Sequence, residues 1–265
     1  MRVFWQGRCR LWRFVCDGLR EYNRDLRWNH VFSNTLFTNF TLIYSDFDYH
    51  LGMPSGAMSF DWTSNIIDKS FKNDYLWYIT PSNTLNFGLQ LTHHTFKPGN
   101  IESGEGSFFD DFNMAKQYAL EGNLFAENEH KVNQKLSLQY GLRYSSFSNI
   151  GGNLYSLNNS YNVTDTTKYK RWNEFNTYSG LEPRIGVRYI LLRNSSIKIG
   201  YNRMYQYIHL ATNSTTPTPI DIYFPSNPNI KPQKADQVAV GYFHNFADNM
   251  YETSVEVYYK KCTMP

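Results

Sequence analysis

No run of about 18 apolar residues occurs in this chain, and its mean hydropathy is −0.55, so no helix is apolar enough to cross a bilayer. That absence says nothing of strands, which turn only half their residues toward lipid. Charge is also scarce. Asp, Glu, Lys and Arg make up 18% of residues, below the ~25% usual for soluble domains. A formal charge of +3 is too small to indicate a nucleic-acid partner. The three cysteines, Cys9, Cys16 and Cys262, lie at the two ends and fit neither a zinc spacing nor a disulfide framework. No Gly-rich phosphate loop and no G-x-S-x-G elbow is present, and the histidines and serines form no Ser/His/Asp arrangement. We therefore expect no enzyme, no cofactor and no metal centre. Residues 1–24 lack the apolar core of a signal peptide and carry Arg2, Arg8, Arg10, Arg13, Arg20 and Arg24 among Trp5, Trp12 and Phe14. They read as an atypical basic segment outside the fold, which leaves 25–265 as the folded unit.

What the chain does have is aromatic side chains, at 17% with 21 Tyr and 19 Phe, and a period of two. Leu136, Leu138, Tyr140, Leu142 and Tyr144 alternate with Lys135, Ser137, Gln139, Gly141 and Arg143. Ile185, Val187, Tyr189 and Leu191 alternate with Arg184, Gly186 and Arg188. Val238, Val240 and Tyr242 repeat the pattern, as do Tyr251, Thr253, Val255, Val257 and Tyr259. Successive strand side chains point to opposite faces, so each segment has one apolar and one polar surface. Strands are expected near 25–32, 35–49, 59–79, 84–96, 115–129, 134–147, 175–191, 196–209, 233–246 and 250–261. Asp61, Lys69 and Lys72 interrupt the third.

The connectors alternate in length. Ser33-Asn34, Pro81-Ser82-Asn83, 130–133, Arg193-Asn194-Ser195 and Ala247-Asp248-Asn249 are tight turns. Residues 50–58, 97–114, 148–174 and 210–232 are long and rich in Gly, Asn, Ser, Thr and Pro. All tight turns thus fall at one end, the asymmetry of a transmembrane barrel with short periplasmic turns and long extracellular loops. Phe32, Phe37, Trp77, Tyr78, Phe246 and Tyr251 stand beside the turns, where an aromatic girdle belongs. The fold class is all-β, an antiparallel transmembrane β-barrel segment of about ten long strands. Arg203, in register with Ile197, Ile199 and Tyr201, breaks the apolar face and requires an interfacial position or a bulge. A soluble carbohydrate-binding β-protein would instead bury the same face.

On the polar face, Gln139, Arg143, Arg184, Arg188, Lys198 and Glu256 are expected to line a lumen. Of the neighbours His93 and His94, only His94 shares that direction, so the two do not form a metal pair. Asp110 and Asp111 form an acidic loop tip among Phe108, Phe109 and Phe112. Trp172, with Tyr155, Tyr161 and Tyr169, could stack on a flat ligand. His94, Asp110, Asp111, Arg143, Trp172, Arg184 and Arg188 are the ligand-binding candidates.

Three segments carry a family resemblance. Leu181-Glu182-Pro183-Arg184-Ile185-Gly186-Val187-Arg188-Tyr189 resembles the EPR-x-G-x-RY strand of TonB-dependent outer-membrane receptors, and Ser196 to Arg203 is similar to the strand that follows it. Asn229 to Gln237, running on to Gly241-Tyr242, is similar to their NP-x-L-x-PE junction, with Gln233 where Glu is usual. His94 to Gly99 resembles a loop entrance in such barrels. The resemblance covers about 25–261. It implies a barrel of ~22 strands around a plug. It also implies residence among outer-membrane lipid of a Gram-negative bacterium, and energy-coupled import of a scarce small nutrient (siderophore, corrinoid, peptide or glycan) through the TonB complex. The chain departs from that pattern in having about ten strands, no plug-like region and no aromatic-terminated last strand, so it reads as an internal barrel fragment without transport of its own. A passive porin-like or structural outer-membrane barrel is the alternative.

Overall fold

The computed structural model describes residues 2–9, 16–53, 57, 59–104, 106–108, 110–211, 222–246 and 250–263, and among them every regular element is a strand. These are β1 (Arg2–Cys9), β2 (Cys16–Val31), β3 (Leu36–Met53), β4 (Phe60–Thr80), β5 (Asn83–Ser103), β6 (Phe112–Asn113), β7 (Gln117–Lys131) and β8 (Leu136–Asn149). They continue with β9 (Gly152–Leu157), β10 (Val163–Tyr169), β11 (Asn176–Leu192), β12 (Ser195–Gln206), β13 (Ile208–Ala211), β14 (Ile222–Pro225), β15 (Gln233–Phe246) and β16 (Tyr251–Thr263).

One antiparallel meander runs β1-β2-β3-β4-β5-β7-β8-β11-β12-β15-β16, with β6 added to β5. The β9–β10 and β13–β14 hairpins are excursions within the long connections. Tight turns close by side-chain capture of the backbone. Ser33 Oγ accepts from the Leu36 amide at 3.1 Å, and Asn133 Oδ1 accepts from the Lys135 and Leu136 amides at 2.8 and 2.9 Å. The Ala247-Asp248-Asn249 turn lies outside the described residues.

Strand boundaries at the tight turns agree with expectation to within a residue or two; at the long-loop ends β2, β3, β5, β8 and β16 run further, whereas β4, β7 and β11 begin a residue or two later and β12 stops at Gln206, short of the expected 209. β2 begins at Cys16, where the sequence pattern placed its start near 25, and pairs with β3 back to Gly52. β1 pairs in turn with β2, so the basic 1–24 segment, read as lying outside the fold, supplies sheet; Arg10, Trp12, Arg13 and Phe14 within it lie outside the described residues. The reason is physical. Beyond the lipid both faces of a strand are wet, so the apolar alternation fades while the backbone ladder continues. A strand of 21 residues such as β4 or β5 is about 70 Å long at ~3.3 Å per residue, far more than a tilted strand needs for a ~25 Å apolar band. The His94 to Gly99 stretch, expected to open a loop, stays in β5 and absorbs a register shift between its pairings to Thr63 and Asn65. Pro98, which cannot donate to the ladder, sits inside that irregularity. Gly99 there lies flat under Trp62, where a Cβ would come within 2.3 Å of the indole.

Register aligns the apolar rows across the sheet. Leu26, Leu42, Phe71 and Leu91 are successive cross-strand partners, and so are Tyr140, Ile185, Tyr201 and Val238. Among the described residues no second layer covers them. Leu26 is 69% exposed and Val257 70%, whereas the buried apolar set comes down to Trp62, Phe96, Ala119, Phe147, Ile150, Tyr207 and Ala235. A contiguous exposed apolar surface of this extent is what the outer face of a transmembrane barrel wall presents. Two of the six turn aromatics are reassigned: Phe37 and Tyr78 have the parity of the polar face and meet edge-on at 6.0 Å. Trp77, Phe246 and Tyr251 keep the apolar parity. The Arg203 exception resolves without a bulge in its strand. β12 keeps continuous register with β15, and Arg203 Nε meets Asp236 Oδ1 at 2.7 Å beyond the last apolar row. The Tyr201 hydroxyl donates to the same oxygen at 2.8 Å.

Candidate functional site

On the opposite, polar face, His94 is the centre of a charged cluster. Antiparallel pairing sets Asp68 of β4 and Ala119 of β7 beside it, which brings Glu121 within reach. His94 Nδ1 lies 2.7 Å from Asp68 Oδ1, and Nε2 lies 3.5 Å from Glu121 Oε2 without forming a hydrogen bond. Glu121 also accepts from Asn123 Nδ2 at 2.9 Å and faces the Arg143 guanidinium at 3.8 Å. Arg143 Nε donates to Asn123 Oδ1 at 3.1 Å. Two carboxylates, one guanidinium and one imidazole therefore share a patch in which the histidine is 4% exposed. A buried group flanked by two acids is balanced when the imidazole is protonated and paired with both.

A loop folds over this patch. After β12 the chain turns inward, and Tyr207 lies on Phe147 with centroids 5.2 Å apart and planes 4° from parallel. Its hydroxyl is 2.7 Å from Ser145 Oγ. Burial pushes that hydroxyl up to about 12. Phe96, Ala119, Phe147 and Tyr207 form a small core beneath the loop, and His94 stacks on Phe96 at 5.8 Å. The loop is held further along as well. The Ser226 amide donates to the Tyr207 carbonyl at 2.7 Å, the Tyr178 hydroxyl donates to the Asn227 carbonyl at 3.1 Å, and Tyr223 meets Phe47 edge-on at 6.1 Å. In the β13–β14 hairpin, His209 Nε2 is 2.9 Å from Ser226 Oγ, and burial lowers the His209 pKa.

The expected site residues separate into three places. His94 and Arg143 meet through Glu121. Arg184 joins Arg143, Lys72, Asp74 and Glu127 in a groove of about 270 Å³ on the same face. Arg188, beside Ser137 and Lys198 in register, shares that face nearer the tight turns. Asp110 and Asp111 lie in the β5–β7 connection, where Asp111 accepts from the Ser103 amide and hydroxyl, both at 2.7 Å. Those two hydrogen bonds hold its carboxyl below the usual carboxylate range. Phe109 lies outside the described residues.

Trp172 belongs to neither group. Its amide donates to the Ile150 carbonyl at 2.6 Å, and its ring packs at 5.2 Å on His93, which has the parity of the apolar face. It is therefore an outer-rim residue and no lumen contact, because the loop turns back outward before β11. Asp68, Glu121, Ser145 and Tyr207 are site residues that no sequence motif marks. Parity alone would have placed Glu121 opposite Leu120 and Leu124; the Tyr207 fold-back leaves no periodic signal.

A meandering wall with an apolar outer face, a polar inner face and an inward-folded loop defines a segment of a transmembrane β-barrel. The chain matches the family described as TonB dependent receptor-like, beta-barrel, over residues 11–261, and it belongs to that family. The copper transporter OprC has the same fold at a TM-score of 0.62 and 15% identity, over 94% of this chain and 40% of that one. The Serratia marcescens hemophore receptor HasR, solved with its hemophore and heme, superposes with a TM-score of 0.63 at 13% identity, over 95% and 41%. The FrpB iron transporter of Neisseria meningitidis gives 0.62 at 12%, over 94% and 37%. This chain thus spans about two-fifths of the length of these solved barrels. No curated protein matches it. The family is one of receptors and transporters, not of enzymes.

Proposed function

We propose that this chain is the wall of an outer-membrane receptor that captures a scarce small nutrient and imports it by TonB-coupled transport, the coupling passing through a plug domain. The observation that carries this reading is the fold-back of Tyr207 onto Phe147 above the His94–Asp68–Glu121–Arg143 cluster. A passive pore works best with an open, water-lined interior. Here the extracellular connection is built into the interior and supplies aromatic and charged contacts at one level, as capture of a ligand requires. His94, Arg143 and Arg184 are the contacts assigned to that ligand, with Arg188 lower in the passage and Asp110 and Asp111 at the entrance. Structural relatives named for copper, iron and heme argue for a metal-bearing nutrient.

The test is uptake by cells producing the full-length protein, with and without a working TonB. Radiolabelled ferric siderophores, copper and heme serve as probes. Uptake of any of them that vanishes without TonB supports the proposal. Uptake indifferent to TonB establishes a passive channel, and recovery in the soluble fraction without detergent removes the membrane reading altogether.

A further inference from the structure

The cysteines take no part in the apolar rows or in the His94 cluster, and the strand register separates them. β1 and β2 form an antiparallel hairpin in which Cys9, the last residue of β1, is paired with Cys16, the first of β2. Residues 10–15 between them lie outside the described ones. From that rung the register runs without a shift to Arg2 opposite Asn23. Directly opposed residues of an antiparallel ladder share a face, with Cα atoms roughly 4.5 or 5.5 Å apart according to whether the pair is hydrogen-bonded. A disulfide spans Cα separations of about 4.4–6.8 Å, so either kind of rung is within its reach. On its other side Cys16 is paired with Gly52 of β3, which adds no side chain to that row. Cys262 is the contrast within the same chain. It is exposed on β16, and its partner in the ladder is Ala235.

The height of this rung sets its redox surroundings. β2 is 16 residues long, ~50 Å at ~3.3 Å per residue, and its far end at Val31 abuts the Ser33 tight turn. A strand crosses a ~25 Å apolar band well before that length is used. The Cys9–Cys16 rung therefore stands on the long-loop side, beyond the lipid, where a disulfide persists because the compartment is oxidising. A covalent rung also has a mechanical use at this place. Among the described residues β1 is paired with β2 alone, so its ladder is held from one side only. Joining Cys9 to Cys16 limits the states open to a detached β1 and so favours the paired hairpin.

We propose that Cys9 and Cys16, opposed in the β1–β2 ladder, form a disulfide that pins this hairpin on the extracellular side of the wall. The bond arises by thiol–disulfide exchange with a periplasmic protein that carries an oxidising disulfide. The thiolate of one cysteine attacks that disulfide and forms a mixed disulfide with the oxidant. The thiolate of the other then attacks the first cysteine's sulfur and releases the oxidant as its dithiol. Two electrons and two protons pass from the two thiols to the oxidant.

The inference rests on the outer-membrane placement above, and the experiment separates the two. Cells producing the full-length protein are fractionated, free thiols are blocked with iodoacetamide, and the unreduced protein is digested with trypsin. Arg8, Arg10, Arg13 and Arg20 flank the pair, so the disulfide is seen as Cys9-Arg10 joined to the peptide of residues 14–20, the two separating on reduction. This map is read on the wild type and needs no variant to fold. Cys9→Ser and Cys16→Ser each abolish the joined peptide and leave the other cysteine alkylated. Reduction of the wild type speeds amide exchange of residues 3–8 about thirtyfold, and the double variant C9S/C16S exchanges at the reduced rate with or without reductant. Both cysteines alkylated in protein from the outer membrane, or either one joined to Cys262, overturns the disulfide and leaves the placement standing. A joined peptide with exchange indifferent to reduction overturns the pinning. Recovery in the soluble fraction without detergent overturns the placement, and the disulfide with it.

Discussion

Tyr207 and Phe147 lie face to face, 5.2 Å apart and within 4° of parallel, although two hairpins, β9–β10 and β11–β12, separate the loop from the strand. The contact joins the extracellular connection to the inner wall. Replacing Tyr207 by Ala deletes the stack and the hydroxyl contact to Ser145, a loss of about 3–5 kcal/mol for a buried aromatic. We expect Ile208–Ala211 to undock, seen as faster amide exchange there with β8 unchanged. Tyr207→Phe keeps the stack and costs about 1 kcal/mol.

Asp68 holds the buried imidazole of His94 at 2.7 Å. Asp68→Ala removes one of its two acids and leaves Nδ1 without a partner, at about 1–3 kcal/mol. The urea midpoint of the detergent-solubilised protein falls accordingly. An unchanged midpoint would mean that water replaces the carboxylate without cost.

The Arg203–Asp236 pair stands at the end of the apolar rows on β12 and β15. Asp236→Ala leaves a cation facing hydrocarbon, at about 1 kcal/mol for an interfacial position. The double variant R203L/D236L recovers that loss. A double-mutant cycle in urea measures the coupling, and additive single effects would show the pair to be incidental.

Leu142 and Gln139 lie on one strand with opposite parity. Leu142→Arg turns a charge into the bilayer and costs about 2–4 kcal/mol, while Gln139→Arg enters the polar interior at little cost. Equal effects in a folding titration into lipid vesicles would refute the assignment of faces.

His209 prefers its neutral form because burial lowers its pKa from the ordinary 6.5. A base whose folded-state pKa is depressed loses stabilisation as pH falls, since the released loop binds the proton more readily. The β13–β14 hairpin is therefore expected to be fully docked above the ordinary histidine pKa and to loosen progressively below it. Amide exchange of Tyr223 and Phe224 at successive pH values reads this, and His209→Gln flattens the profile.

What the sequence disclosed follows from where periodicity survives. Between the tight turns and about ten residues above them, hydrocarbon forces alternation, and runs such as Leu136–Tyr144 and Ile185–Leu191 state their faces outright. The same alternation separates His93 from His94. Above that level the constraint lifts, so the extensions of β2, β3 and β5 passed for loop, and the basic residues before Arg24 hid a strand. Tyr207 and Trp172 are harder cases. Each is placed by a chain reversal inside a long connection, one inward and one outward, and composition cannot give the sign of a reversal.

Because every long strand is hydrogen-bonded only to its neighbours in chain order, the wall consists of interchangeable hairpins. A duplicated or deleted hairpin changes the circumference by two staves and leaves every other pairing as it was. Such an architecture lets ancestry widen or narrow a pore without inventing a new topology, while the outer connections diverge freely above it.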